Sequence, residues 1–587
     1  MSILHMNTQT HPSDLISQLL LEQSTLTAVE EFSTWHKTHT EPAQAQYYRN
    51  LMPAAMPQPG QQLAFEVNLD MCSGCKACVV ACHSLNGLDE GESFRDVGLL
   101  LAPSDGLALF QHVTTACHHC VDPGCLSACP VNAYEKDPIT GIVRHLDDQC
   151  FGCQYCILAC PYEVPKYNAA KGIVRKCDMC TQRLSTGEAP ACVQACPHQA
   201  ISICTIDIAA AKADADTGTF LPDSPDPSIT VPTTRYVGKA TTNATMRAGT
   251  YAARPLEHAH LPLILLLVLS QIAVGIVVVI LVLNNSAGWD QRLTGRALLA
   301  GSTLLAGPTL RGPTLRTTLL GVAAVLAACS AISSTLHLGR PQFAYRAILG
   351  FRHSWLSREI VAFATCIPLC FLSAALSWRN STWLNLSLFA AAMSGLAGVM
   401  ASAMIYHVTH RPFWSVARSV PAFLSASLGI GSLIVLWTLQ FTATDAGPAI
   451  CQMLACVAAV SAVIKLLLLR NLMRRRSVAS PAAPTAARQH ESASRRSHPV
   501  GGNVQHASLV ETSLLLTTRL SFELRLQTVG QVMFLLLSVF LITWPVGTHV
   551  SLIAGLTVIT AVGAEFAERY LFFRAVVPLR MPGVMKS

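Results

Sequence analysis

The chain has 587 residues, too many for one domain at the usual ~100–200 residues per domain. Only 13% are charged, against about 25% in an ordinary soluble domain, and 51% are hydrophobic. The net charge of +7 does not read as a nucleic-acid site: the basic residues sit in loops beside apolar runs, and no basic patch with interleaved aromatics is visible. Cysteines and apolar runs are segregated, with 17 of the 22 cysteines before position 205 and almost all long apolar runs after position 258. The pattern is that of a soluble redox head joined to a membrane body.

Residues 1–60 show no basic stretch followed by an apolar core and no twin-arginine pair, so no export signal is read there. Between Ser13 and His39, apolar residues recur at near-helical spacing (Leu15, Ile16, Leu19, Leu20, Leu26, Val29, Phe32), with Ser13 as a candidate cap. One or two amphipathic helices are expected, packed on the head or docking a partner.

Residues 61–208 hold sixteen cysteines in four quartets: Cys72, Cys75, Cys78 and Cys82; Cys117, Cys120, Cys125 and Cys129; Cys150, Cys153, Cys156 and Cys160; and Cys177, Cys180, Cys192 and Cys196. Proline directly follows each of the last three. Three cysteines at C-x2-C-x2-C wrap one face of a cubane cluster, and the fourth reaches the neighbouring cluster, so quartets work in pairs. The second and fourth quartets open to x4 and x11 before their third cysteine, which still supplies three ligands plus one. Four quartets predict four 4Fe-4S clusters. Disulfides would require an oxidising compartment, and zinc ribbons would leave the fourth cysteine and the Cys-Pro step unexplained. Short β-like stretches flank the quartets at Leu63–Val67, Ile142–His145 and Ala200–Ile203, as in a ferredoxin module. Nearby Lys76, Arg144, Lys166, Lys171, Arg175 and Lys176 can offset the charge of thiolate-bound clusters. Cys204 falls outside the pattern and reads as a plain buried thiol.

Residues 209–258, rich in Pro, Thr, Ala and Asp, are expected to form an extended tether. Eight apolar segments follow, at 261–283, about 315–338, 356–378, 384–407, 420–441, 447–469, 526–545 and 548–567, each near the ~20 residues that cross a bilayer. Ala297–Leu310, with Pro308, is shorter and reads as interfacial or re-entrant; residues 470–525 read as a polar, mobile loop. The expected fold is thus an α+β ferredoxin-like multi-cluster head followed by an all-α polytopic membrane bundle of about eight helices, the anchor spanning 259–575. With eight spans, Arg340, Arg346, Arg352, Arg411, Arg418, Arg470, Arg474–Arg476, Arg569, Arg574 and Arg580 share the head's side, against Arg292, Arg296, Arg311, Arg316 and Arg379 on the other. The positive-inside rule then places the head in the cytoplasm, at the inner membrane.

These spacings resemble those of the four-cluster electron-transfer subunit of dimethyl sulfoxide reductase-type molybdopterin oxidoreductases. The later half resembles the eight-helix membrane anchor of the same enzymes, because Ser334-Thr335-Leu336-His337-Leu338-Gly339-Arg340-Pro341, followed by Trp355-Leu356-Ser357-Arg358-Glu359-Ile360, is similar to the anchor's quinone-site signature. Together they cover roughly residues 61–575, as a fusion of two subunits. The resemblance implies one cluster on Cys72, Cys75, Cys78 and Cys196, a second on Cys177, Cys180, Cys192 and Cys82, a third on Cys117, Cys120, Cys125 and Cys160, and a fourth on Cys150, Cys153, Cys156 and Cys129. Related nitrate reductase subunits carry tryptophan where this chain has Cys153, so all four clusters are expected to hold four irons. His337 matches the family's quinone histidine; Glu359 is a candidate proton relay and Arg340 a weaker quinone candidate. Tyr406-His407-x2-His410 is a rival haem motif, but two histidines three apart on one helix end do not make a facing pair, and no haem is expected.

The expected function is a relay between membrane quinone (menaquinone or ubiquinone) and a separate molybdopterin subunit, with no residue resembling a molybdenum ligand or substrate site. Sulfite is favoured as the terminal substrate over a sulfoxide or N-oxide if the head faces the cytoplasm. The alternatives are an ion-translocating respiratory module, for which Lys465 is nearly alone among buried charges, and a structural anchor fed by a soluble donor.

Overall fold

The computed structural model describes residues 12–24, 27–38, 44–102, 109–218, 220–238, 246–249, 256–285, 312–442, 448–478, 501–545, 549–578 and 580–582. Two helices, Pro12–Ser24 and Ala28–Thr38, open the described chain. The second starts on a capping box, in which Thr27 N–H donates to the Glu30 carboxylate and Glu30 N–H to the Thr27 hydroxyl. Among the described residues of these helices, Leu15, Leu19 and Val29 are exposed, at 57%, 52% and 77%.

In the head, strand Gln61–Asn68 runs antiparallel to Ile201–Asp207, with Gln61 opposite Asp207, so the two ends of the cysteine-rich segment are zipped together. A second antiparallel pair, Asp96–Ala102 with Leu109–Thr115, joins the first two quartets. Two short hairpins, Tyr134–Lys136 with Val143–His145 and Lys166–Asn168 with Ile173–Arg175, precede the third and fourth quartets. The described residues of the segment expected to be an extended tether lie along the head. That segment contains helix Ile208–Asp216, then Arg235–Val237 adds a parallel strand beside Gln61–Asn68, and Arg247–Ala248 pairs with Asp96–Ala102. Edge backbone groups on the head offered it hydrogen bonds that its own sequence lacks apolar periodicity to announce.

Among the described residues, eight helices are long and apolar enough to cross a membrane: Leu261–Asn285, Gly312–Thr335, Trp355–Trp378, Leu384–His407, Val416–Thr442, Pro448–Val478, Ser521–Thr543 and Val550–Arg574, called here the first to eighth spans. The chain is a multi-pass membrane protein. The first span is the bundle's axis, with its window 78% buried against 28% for the third and seventh. Gly275 lets it touch the fifth span, since a Cβ there would fall 1.8 Å from the Ser427 carbonyl.

The expected polar loop at 470–525 is partly helical. The sixth span runs on to Val478, and Gly501–Thr518 forms a further helix whose Leu516, Thr512 and Ser508 are buried. Leu516, and Leu520 just past its end, are buried in the bundle's core, and that burial outweighs the helix's polar flanks. Ala297–Leu310 lies outside the described residues. Arg569, one of the flanking charges in the sequence tally, is fully buried inside the eighth span, so it takes no part in the positive-inside balance. The C-terminal segment folds back, and Arg580 pairs with Glu163 of the head and Glu257 ahead of the first span.

Candidate functional site

Each quartet begins with the same backbone device. The residue just before the second cysteine has a left-handed φ in all four: Gly74 (74°), His119 (41°), Gly152 (73°) and Met179 (60°). That turn lets Gly152 N–H and Met179 N–H donate to the sulfurs of Cys150 and Cys177, both at 3.4 Å. After the Cys-Pro steps, Asn132, Glu163 and Gln199 also take left-handed φ values of 54°, 52° and 50°. The chain then doubles back, and Ala133 and Ala200 N–H donate to Cys129 and Cys196 sulfurs at 3.2 Å. Proline explains the regularity, because it has no N–H to compete and biases the turn.

These turns gather the sulfurs around four cavities. One is lined by Cys72, Cys75, Cys78 and Cys196; a second by Cys82, Cys177, Cys180 and Cys192; a third by Cys117, Cys120, Cys125 and Cys160; a fourth by Cys129, Cys150, Cys153 and Cys156. Each cage therefore borrows one cysteine from another quartet. All sixteen are free thiols. Among the described residues no three His, Cys, Asp or Glu converge closely enough to hold a single metal ion. In each cage the cysteines line a cavity, an arrangement that fits a cubane cluster.

Three further observations fit an anionic iron-sulfur cluster in these cages. Burial, with a contribution from Cys192, pushes the Cys82 thiol up to about 12, and burial pushes Cys160 up to about 11, so a bare thiolate is disfavoured unless iron balances its charge. Lys176, buried in the head, places its ammonium 3.6 Å from the Cys117 sulfur. Arg95, 2% exposed, lines the second cavity, and its Nε and one terminal nitrogen have no hydrogen-bond partner there. A buried guanidinium with unused donors on the wall of a thiolate cage is placed to face negative charge. Sequence reading missed Arg95, which lies between the first two quartets with no motif to mark it.

The fourth cavity faces the membrane body. Gly152, Gly172 and Gly339 meet backbone to backbone, and a Cβ on Gly339 would sit 2.1 Å from the Gly172 carbonyl oxygen. Arg340 N–H donates to Phe151 O at 3.0 Å, and its guanidinium donates to the Lys171 and Asp147 carbonyls at 3.1 and 3.2 Å. Arg340 is thus engaged with the head. Ser354 Oγ donates to Ala128 O and His353 Nε2 lies 2.9 Å from Cys129 O. From the head, Tyr155 donates to Ile405 O of the fourth span at 3.1 Å.

His337 lies two residues before Gly339, half-buried just past the second span. Its ring centroid is 5.2 Å from that of His260, at the entrance to the first span, and His260 in turn packs on Phe573. Burial, followed by the neighbouring His260, holds His337 down to about 4, so at neutral pH it is a neutral hydrogen-bonding group. Glu359 is buried, 4% exposed, in the third span, and accepts a hydrogen bond from Ser402. Sequence reading missed His260 and Ser402 and named Tyr406 only within a rival haem motif; the two histidines His258 and His260 just ahead of the first span were the signal for His260.

Residues 257–574 match the family described as the DMSO reductase anchor subunit (DmsC), and residues 109–206 match a 4Fe-4S dicluster domain. The B subunit of the anaerobic dimethyl sulfoxide reductase of Haemophilus influenzae is 36% identical over 156 residues, which is 25% of the present sequence and 76% of the relative. The thiosulfate reductase electron transfer subunit PhsB of Salmonella typhi is 41% identical over 140 residues, 23% of the present sequence and 72% of the relative. Hydrogenase-2 operon protein HybA of Escherichia coli O157:H7 is 38% identical over 171 residues, 25% of the present sequence and 52% of the relative.

Proposed function

Because this chain belongs to the DMSO reductase anchor subunit family, with an iron-sulfur electron-transfer subunit fused ahead of the anchor, we propose that it links the membrane quinone pool to a separate molybdopterin catalytic subunit. In this reading Cys72, Cys75, Cys78 and Cys196 hold the first 4Fe-4S cluster. Cys177, Cys180, Cys192 and Cys82 hold the second, Cys117, Cys120, Cys125 and Cys160 the third, and Cys129, Cys150, Cys153 and Cys156 the fourth. When bound, such clusters supply one-electron carriers.

The observation that carries the quinone end is the seam at the fourth cage: Gly152, one residue from Cys153, touches Gly339, two residues from His337. His337 donates a hydrogen bond to a quinone oxygen, Glu359 takes or gives the proton, and Arg340 holds the intervening loop against the head. The Gly-Gly-Gly contact excludes side chains and water between cage and loop, which shortens the distance an electron covers.

In the cytoplasmic placement, supported by the arginines that flank the head-side span ends, a substrate oxidised inside the cell, such as sulfite, is favoured over a sulfoxide or N-oxide. The identity of the co-purifying molybdenum subunit decides between them. The quinone assignment is tested with His337→Ala in membranes: quinol-driven bleaching of the clusters slows by at least about tenfold, while dithionite still reduces them fully. Wild-type kinetics with quinol would remove His337 from the site and leave a soluble donor as the electron source.

A further inference from the structure

The bundle contains a buried ionic network that quinone chemistry at His337 does not use. Lys465 of the sixth span, its side chain 2% exposed, pairs with Glu565 and, at 2.7 Å, with Glu568 of the eighth span. Arg569, 0% exposed, pairs with Glu565 at 2.5 Å and Glu568 at 3.2 Å, and donates to Gln271 Oε1 of the first span at 3.1 Å. Arg418 of the fifth span adds a further positive charge beside Glu568.

Depth separates this network from ordinary interfacial charges. Lys465 and Glu565 each lie about nine residues inside the head-side end of their spans, ~14 Å along the helix, close to the middle of a ~30 Å hydrocarbon core. Charges there are not snorkelling, and a buried ion pair contributes little stability that apolar residues of similar volume would not. Its polar atoms are also not all satisfied: Gln271, 1% exposed, keeps its Nε2 without a partner, as does Arg569 its Nε.

The network is connected to the quinone region. Ser402, bonded to Glu359, lies one helical turn before buried Tyr406, whose ring centroid is 6.4 Å from that of Phe423, and the Arg569 guanidinium sits 4.2 Å over the same Phe423 ring. Lys465, Arg569 and Arg418 outnumber Glu565 and Glu568 by one charge. Away from the head, Ser432 of the fifth span keeps a buried, unpartnered hydroxyl, and buried Thr557 lies on the eighth.

We propose that the network of Lys465, Glu565, Glu568 and Arg569 is a proton-exchange site coupled to Glu359, through which this chain moves protons across the membrane as quinone reacts. The inference rests on the quinone reading above. Oxidation of one quinol yields one quinone, two electrons for the head and two protons. One proton neutralises Glu359 and the other leaves to water on the head side; the network, already one positive charge in excess, loses a nearby negative charge, and Lys465 releases its proton towards the face opposite the head. When Glu359 ionises again, its proton passes to the neutral Lys465 amine, so charge is conserved throughout.

The test uses the full chain with its clusters in proteoliposomes that contain quinol and a trapped pH dye, with a membrane-impermeant one-electron acceptor at the head. Wild type gives an uncoupler-sensitive change in internal pH. Lys465→Arg keeps a positive charge that cannot be given up, so it preserves the ion pairs; it reduces the internal pH change at least fivefold while quinol-driven cluster reduction stays within twofold of wild type. Glu359→Gln abolishes the pH change as well. No internal pH change in wild type, or an undiminished change in Lys465→Arg, overturns the proposal and leaves the network as helix packing with the quinone reading intact. Failure of quinol to reduce wild-type clusters overturns both.

Discussion

Arg95 is placed to act through its charge on the cage of Cys82, Cys177, Cys180 and Cys192. Its guanidinium sits 4.7 Å over the Phe65 ring, which braces it, and donates to Thr114 Oγ1 at 3.1 Å, leaving two nitrogens on the cavity of Cys82, Cys177, Cys180 and Cys192. A fixed positive charge favours the more negative, reduced state of a cluster bound there. Arg95→Gln is expected to lower the midpoint potential of one EPR signal by on the order of 100 mV, the effect of a unit charge a few Å away at an effective dielectric near 20. The other signals move much less. Equal shifts in all signals, or none, would show that Arg95 is only a packing residue. The cysteines were legible because ligand spacing is a local property of the chain. Arg95 was not, because its role depends on a fold that brings the residue after Phe94 beside sulfurs nearly a hundred positions away.

At the scale of elements, the loop between the second and third spans is the hinge between wire and membrane. Residues Pro341–Gly350 form a 3-10 helix on the head, and Gly350 N–H closes on Pro130 O at 2.8 Å. Gly339→Ala would drive a methyl group into the Gly172 backbone, and neither backbone can yield without disturbing the hairpin or the fourth cage. The expected cost is about 1–3 kcal/mol, read as a lower melting midpoint of the purified chain and slower quinol-driven reduction with normal cluster content. A variant that melts and turns over like wild type would mean the seam is loose. All eight spans were readable from apolar run length, since the bilayer imposes a minimum that needs no tertiary information. Helix Gly501–Thr518 was not, because its apolar run is too short to stand out from its polar flanks without the surface it covers.

For the whole molecule, the head is seated on the bundle rather than tethered near it. The apolar core of the bundle takes in Ala128, Tyr155 and Ala159 from the head, and the C-terminal Arg580 ties the head's Glu163 to Glu257. This fixes the fourth cage beside the spans whichever way the assembly is inserted. Insertion itself follows the loop charges. With Arg569 removed from the count, Arg352, Arg411, Arg470 and Arg474 still flank the head-side ends, so protease added to right-side-out vesicles should leave the head intact and protease on inverted vesicles should release it. The opposite result would place the head outside and favour an external substrate.

Spacing and hydropathy alone determined that this is a four-quartet redox head on an eight-span anchor, because cluster ligation and bilayer crossing are both set by residues close together in sequence. Which sulfurs share a cage, that Arg340 holds the head, and that His260 stands against His337 were decided by tertiary structure. The largest change concerns Lys465. In the sequence it is a nearly solitary charge, yet folding brings Glu565 and Glu568 to it from a hundred residues away. A charge at mid-membrane depth is tolerable only with partners, and only the packing of the sixth span against the eighth supplies them.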